Sequence, residues 1–135
     1  PDSAPLLAFA SLLMPVLAMG NRAVIVPSPS MPLIATDFYQ VLDTSDVPAG
    51  TVNIVTGDRD ELAKTLAEHD EVAAPWYHGS RSGVAMAEKA SAGNLKPTWT
   101  IANGAIDWFN TGQAQGTEYL RRATQVKNIW IHYGE

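Results

Sequence analysis

Few residues in this chain are of a type and spacing that could do chemistry. The segment His78-Gly79-Ser80-Arg81-Ser82-Gly83 is the densest. It falls between an expected strand and an expected helix. Backbone N–H groups at a helix N-terminus, joined by Gly79, Ser80 and Arg81, are the parts of a phosphate cradle. The same residues serve a plainer purpose, with Gly79 as a turn residue and Ser80 or Ser82 as an N-cap. The three histidines, His69, His78 and His132, share no i,i+3 or i,i+4 spacing, so they read as surface or satisfied side chains rather than ligands. Asp43, Asp46, Asp70 and Glu71 flank turns and caps, and no metal site is expected from them. There is no cysteine, which removes disulfides, thiolate metal sites and a thiolate nucleophile from this chain. Trp76, Trp99, Trp108 and Trp130 offer either an aromatic ligand surface or core and interface anchors, and the second reading is preferred.

The elements that must position these residues follow from periodicity. Residues 47–57 read V-P-A-G-T-V-N-I-V-T-G. A Pro-Ala-Gly turn leads into a β-branched run too short for a helix, and Thr56-Gly57 ends it. Asp58-Arg59-Asp60-Glu61 then opens an amphipathic helix carrying Leu62, Ala63, Leu66 and Ala67, a βα unit whose chemistry lies at the strand's C-terminal end. The acids at that helix start suit its dipole and repel a pyrophosphate.

Ahead of this unit, 4–19 reads as a buried helix bent at Pro15 and stopped by Gly20-Asn21. It is shorter than the roughly 20 apolar residues of a membrane helix. A strand at 23–26 and a helix at 31–42 follow. Beyond the unit, a strand is expected at 71–77, a helix at 79–92, a strand at 96–101, an irregular stretch at 102–116 with turns at Asn103-Gly104 and Thr111-Gly112, a helix at 117–124 and a last strand at 126–133. Pro75 lacks an N–H and marks its strand as an edge or a distorted ladder. Alternation of this kind predicts an α/β fold, an open and mostly parallel Rossmann-like sheet with helices on both faces. The domain division is 1–116 for the α/β unit and 117–135 for a C-terminal helix and association strand. At 135 residues, 46% hydrophobic and 17% charged, the chain is long and apolar enough for a core. A net charge of −5 with no basic cluster argues against a nucleic-acid surface, and no membrane association is expected. The abrupt start suggests a piece of a longer polypeptide, and the expected location is cytoplasmic.

The residues in P-x-G-x-V-N-I-V-T-G, from Pro48 to Gly57, resemble the second βα unit of the cofactor domain of aldehyde dehydrogenases. The resemblance runs on in order. Pro1-Asp2-Ser3-Ala4-Pro5-Leu6 is similar to P-W-N-F-P-[LM], and 20–28 to G-N-x-V-V-x-K-P-S. Met31-Pro32-Leu33 resembles T-P-L, 71–80 resembles D-V-x-x-V-x-F-T-G-S, and 125–131 resembles the family's C-terminal strand.

What the resemblance implies for function is loss. The family's oxyanion-stabilising asparagine is Ser3 here, and the tryptophan before it is Asp2. The ribose-binding lysine of K-P-S is Val26, and the glutamate beyond it is Pro29. Counted from Asn94-Leu95-Lys96, the general-base glutamate of E-L-G-G falls at Ile101, which cannot move a proton. The catalytic domain that follows in the family is replaced by the C-terminal helix and strand. The resemblance therefore points to a non-catalytic copy, as in bacterial long-form enzymes carrying a second, degenerate copy of the fold, with NAD or NADP belonging to the parent or ancestor. No catalytic residue and no cofactor are expected on this chain, Gly79, Ser80 and Arg81 being the sole candidates. The alternatives are a small nucleotide- or phosphate-binding module, or an oxidoreductase only through its parent. Val126, Ile129, Trp130 and Ile131 are expected to form an interface strand, apolar on both faces at its middle, that pairs with another copy in a homo-oligomer or with an upstream aldehyde dehydrogenase domain.

Overall fold

In the computed structural model, residues 1–126 and 129–131 are described. The order is α1 (Pro5–Ala18), β1 (Ala23–Ile25), α2 (Pro32–Asp43), β2 (Val52–Ile54), α3 (Arg59–Glu68), β3 (Trp76–Gly79), α4 (Arg81–Ser91), β4 (Trp99–Ala102), α5 (Thr111–Ala114) and α6 (Thr117–Arg122). A single 3-10 turn, Ala92–Asn94, follows α4. Among the described residues the strands pair in parallel and no barrel closes, so the fold is the open α/β arrangement that the alternation predicts.

The pairing departs from one continuous sheet. β1 pairs with β2, and β3 with β4, as two separate two-stranded sheets among the described residues. β1 and β2 are three residues each. Pro27 follows β1 and Pro75 precedes β3, so neither strand can extend a ladder through those positions. Val24 is exposed, contrary to a strand covered on both faces. β3 begins at Trp76 rather than residue 71 for a related reason. Residues 69–72 close a turn, with Val72 N donating to His69 O at 3.1 Å, and Pro75 contributes only its carbonyl, which accepts from Trp99 N at 3.1 Å. Thr111-Gly112 opens α5 rather than forming a bare turn, because Asn110 caps it through Gly112 N at 2.9 Å.

α1 sits at the centre of the packing. It starts on Pro5, needs no N–H there, and runs through Pro15. It stops in a Schellman motif, with Gly20 at φ 78° and Asn21 N reaching back to Val16 O at 3.1 Å. Ala4, Ala8 and Leu12 pack with Trp108, Ala114, Tyr119 and Trp99. Phe9, Leu13 and Leu17 pack with Ala35, Leu42, Val52 and the residues around them. Each set repeats at i, i+4, i+8, so α1 carries two apolar stripes into two cores. The Asn21 amide donates to Ala123 O at 2.8 Å and ties the end of α6 to the end of α1.

The exposed edge of β2 is closed by a side chain: Tyr39 Oη accepts from Ile54 N at 2.7 Å. The Lys96 ammonium donates to Ala67 O at 2.9 Å and to His69 O, placing a cation over the C-terminal carbonyls of α3. In the expected strand at 126–133, Val126, Ile129, Trp130 and Ile131 are described and lie in no regular element; the rest of that span lies outside the described residues. An isolated strand has no ladder to hold it, and none of the four strands pairs with these residues.

Leu13 is buried in the second core, and Leu13→Ala is expected to lower stability by about 2–5 kcal/mol. Urea unfolding followed by circular dichroism measures it.

Candidate functional site

The C-terminal ends of β1 and β3 and the N-termini of α3 and α4 bring together Asp2, Ser28, Arg59, Asp60, Tyr77 and His78. Ser28 is buried and donates through its hydroxyl to Asp2 Oδ1. Ser30 donates to the same oxygen at 3.2 Å and shares a hydrogen bond with Ser28 at 2.8 Å. These hydroxyls, Ser28 first, hold the Asp2 carboxyl below the usual carboxylate range. Arg59 lies between two carboxylates, with Nη1 3.8 Å from Asp2 Oδ2 and Nε 3.7 Å from Asp60 Oδ1. Neither distance is a hydrogen bond, and both of these buried nitrogens lack an acceptor. Tyr77 Oη donates to Asp60 Oδ1 at 2.5 Å. Burial, then this acceptor, pushes the phenol above its ordinary pKa.

The two glycines of the loop make room for Tyr77. A Cβ on either Gly79 or Gly83 would overlap Tyr77 Oη. The phenol thus fills the notch beneath the strand-to-helix turn. Ser80 is the N-cap of α4, its Oγ accepting from Gly83 N at 3.0 Å. Ser82 Oγ is 3.0 Å from Ser80 Oγ, and Arg81 is exposed. Asp58 caps α3 by accepting from Glu61 N at 2.9 Å, so that helix start already holds a carboxylate.

His78 is neither at the surface nor satisfied. Both ring nitrogens are buried without a hydrogen-bond partner, and the ring stands edge to face with Trp108 at 5.3 Å. Burial, then the positive charges of the amino terminus and Arg59, lower its pKa from 6.5 to about 4. Beside it in register lies Ile101, buried in β4. Val26 is half-buried just after β1, while Ser3 and Pro29 are exposed. Among the described residues, no group of three or more His, Cys, Asp or Glu side chains is arranged to hold a metal ion. No described helix is long and apolar enough to cross a membrane.

The sequence singled out Gly79, Ser80 and Arg81, and these lie together at the β3–α4 turn. It missed Asp2, Arg59 and Tyr77 as a group. They are far apart in the chain and follow no spacing rule, and only the helix-opening acids pointed toward them.

The fold is thus a parallel α/β unit with its polar side chains gathered at the strands' C-terminal ends. The chain belongs to the aldehyde dehydrogenase family, whose profile matches residues 3–106. It is 33% identical over 105 residues to the NADP/NAD-dependent aldehyde dehydrogenase PuuC of Escherichia coli (strain K12), a match covering 77% of this chain and 21% of that enzyme. It is 40% identical over 68 residues to 2,5-dioxopentanoate dehydrogenase of Saccharolobus solfataricus, covering 50% of this chain and 14% of that protein. It is 30% identical over 100 residues to 1-pyrroline-5-carboxylate dehydrogenase of Bacillus cereus (strain B4264), covering 73% and 19%. The chain thus spans about a fifth or less of the length of these relatives.

Gly83 lies inside α4, where replacement by Ala ordinarily stabilises by about 1 kcal/mol. Here the sign should reverse. Gly83→Ala is expected to cost about 1–3 kcal/mol, because the new methyl meets Tyr77. The penalty should shrink in a Tyr77→Leu background, as thermal melts of the four proteins can measure.

The His78 shift gives a pH dependence. The unfolded chain protonates this imidazole near 6.5, the folded chain only near 4, so its contribution is full above 6.5 and is lost as pH falls toward 4. Asp2, whose folded pKa is lowered from 3.8, acts below that window. His78→Phe is expected to flatten the fall in urea midpoint between 6.5 and 4 relative to the parent chain.

Proposed function

We propose that this chain is a non-catalytic, aldehyde-dehydrogenase-like domain with a structural role in the assembly of a larger NAD(P)-dependent aldehyde dehydrogenase in the cytoplasm. The observation that carries the reading is Ile101, a buried aliphatic side chain in β4 at the position matching the family's general base. No cysteine is present anywhere in the chain to serve as nucleophile. The groups around the strand ends also fit a dinucleotide poorly. Val26 offers no donor, Ser80 is engaged as a cap, and Tyr77 fills the space against Gly79 and Gly83. Asp58, Asp60 and Glu61 crowd the start of α3 with negative charge.

The assembly role is supported by the tail. Val126, Ile129, Trp130 and Ile131 are 83%, 83%, 93% and 67% exposed. Four large apolar side chains in a short segment form a surface that a partner would cover. The partner in this reading is a second copy in a homo-oligomer or an upstream aldehyde dehydrogenase domain.

The purified chain is expected to form no NADH from any aldehyde, and enzyme-concentration-dependent NADH formation would overturn the reading. Calorimetry is expected to find no micromolar NAD binding. Losing two charge-assisted ribose contacts, each worth roughly 1.5–3 kcal/mol, weakens affinity on the order of a hundredfold to ten-thousandfold.

A further inference from the structure

A groove of about 210 Å³ opens at the other end of β3 and β4, away from the polar cluster, lined by Trp76, Pro97, Thr98, Trp99, Arg122 and Thr124. Its walls are flat. Trp76 and Trp99 meet edge to face at 4.8 Å and 88°. The Arg122 guanidinium lies 5.6 Å from the Trp99 ring centre. Glu118 fixes that guanidinium by accepting from Nε at 2.7 Å. The cation thus stands over Trp99 in the wall of the groove. Indole rings, a proline ring and a guanidinium plane suit a planar, electron-rich aromatic side chain.

The groove's rim includes Thr124, two residues before the exposed tail. That tail presents one indole, Trp130, 93% exposed. We propose that this groove receives Trp130 of a second copy of the chain, and that the exchange is reciprocal. The inference rests on the assembly reading of the tail and names its receptor. A second copy is the fitting occupant because Trp130 stands in solvent while its own groove lies open. Reciprocal seating is self-complementary and closes at two copies, leaving no unsatisfied tail to recruit a third. Each indole buries roughly 150–250 Å², and two of them, with the walls they cover and the flanking Ile129 and Ile131, reach on the order of 1,000 Å², the threshold for a specific interface.

Sedimentation velocity on the full 135-residue chain tests this. The parent chain is expected to be dimeric. Trp130→Ala removes the knob, and Thr98→Trp fills the groove with a resident indole; each alone is expected to be monomeric. Mixing the two variants should restore a one-armed dimer, since one supplies an open groove and the other an intact tail. Arg122→Ala, which keeps the backbone of α6 and removes only the stacking plane, is expected to weaken the parent dimer about tenfold or more and covers the case in which Thr98→Trp does not fold. If Thr98→Trp and Arg122→Ala dimerise like the parent while Trp130→Ala does not, the tail assembles elsewhere; the groove inference falls and the assembly reading stands. If Trp130→Ala still dimerises, the inference is wrong. A parent chain that is monomeric at every concentration removes both.

Discussion

The fold depends on α1 being apolar on two sides. No ladder joins the β1–β2 pair to the β3–β4 pair among the described residues, so backbone hydrogen bonding does not unite the molecule. α1 does. Its stripe of Ala4, Ala8 and Leu12 belongs to the core that includes Trp99, Trp108 and Tyr119, and its stripe of Phe9, Leu13 and Leu17 to the core over β1 and β2. The small residues on the first stripe let Trp108 and Tyr119 approach closely. The large residues on the second fill the space above three-residue strands that bury little of their own. That division explains why residues 6–19 are almost unbrokenly apolar in a helix far too short for a bilayer.

Much of this was legible because local chemistry and tertiary packing agree. The turn at 48–50, the β-branched run and the Asp58 cap specify β2 and α3 within a residue or two. Gly20-Asn21 specifies the end of α1. Where sequence reading erred, proline and turn chemistry outweighed composition. Val72-Ala73-Ala74 has the apolarity of a strand, but Pro75 offers no donor and the His69 turn takes the chain elsewhere, so β3 forms later. The candidate loop was found because its glycines and serines are adjacent. The network from Ser28 through Asp2 and Arg59 to Asp60 and Tyr77 was not, because tertiary folding alone brings its members together.

A cation between two carboxylates, each near 4 Å and partly solvated, contributes electrostatic cohesion between the β1 loop and α3. The Tyr77 hydroxyl extends the connection to β3 and, through the glycine notch, to α4. The groups at the strand ends are thereby spent on one another. The result is a polar clasp, and the orphaned nitrogens on Arg59 mark the place where that clasp is imperfect.

The two-sided helix also has a consequence for synthesis. α1 leaves the ribosome before every element it packs against. Its second stripe can dock once α2 and β2 exist, but its first stripe waits for Trp108, Ala114 and Tyr119. At about 5–20 residues per second, translating the roughly one hundred intervening residues takes on the order of ten seconds. Throughout that interval one apolar stripe of the helix stays uncovered. The pace of translation, rather than any property of the finished fold, therefore sets how long that stripe stays exposed.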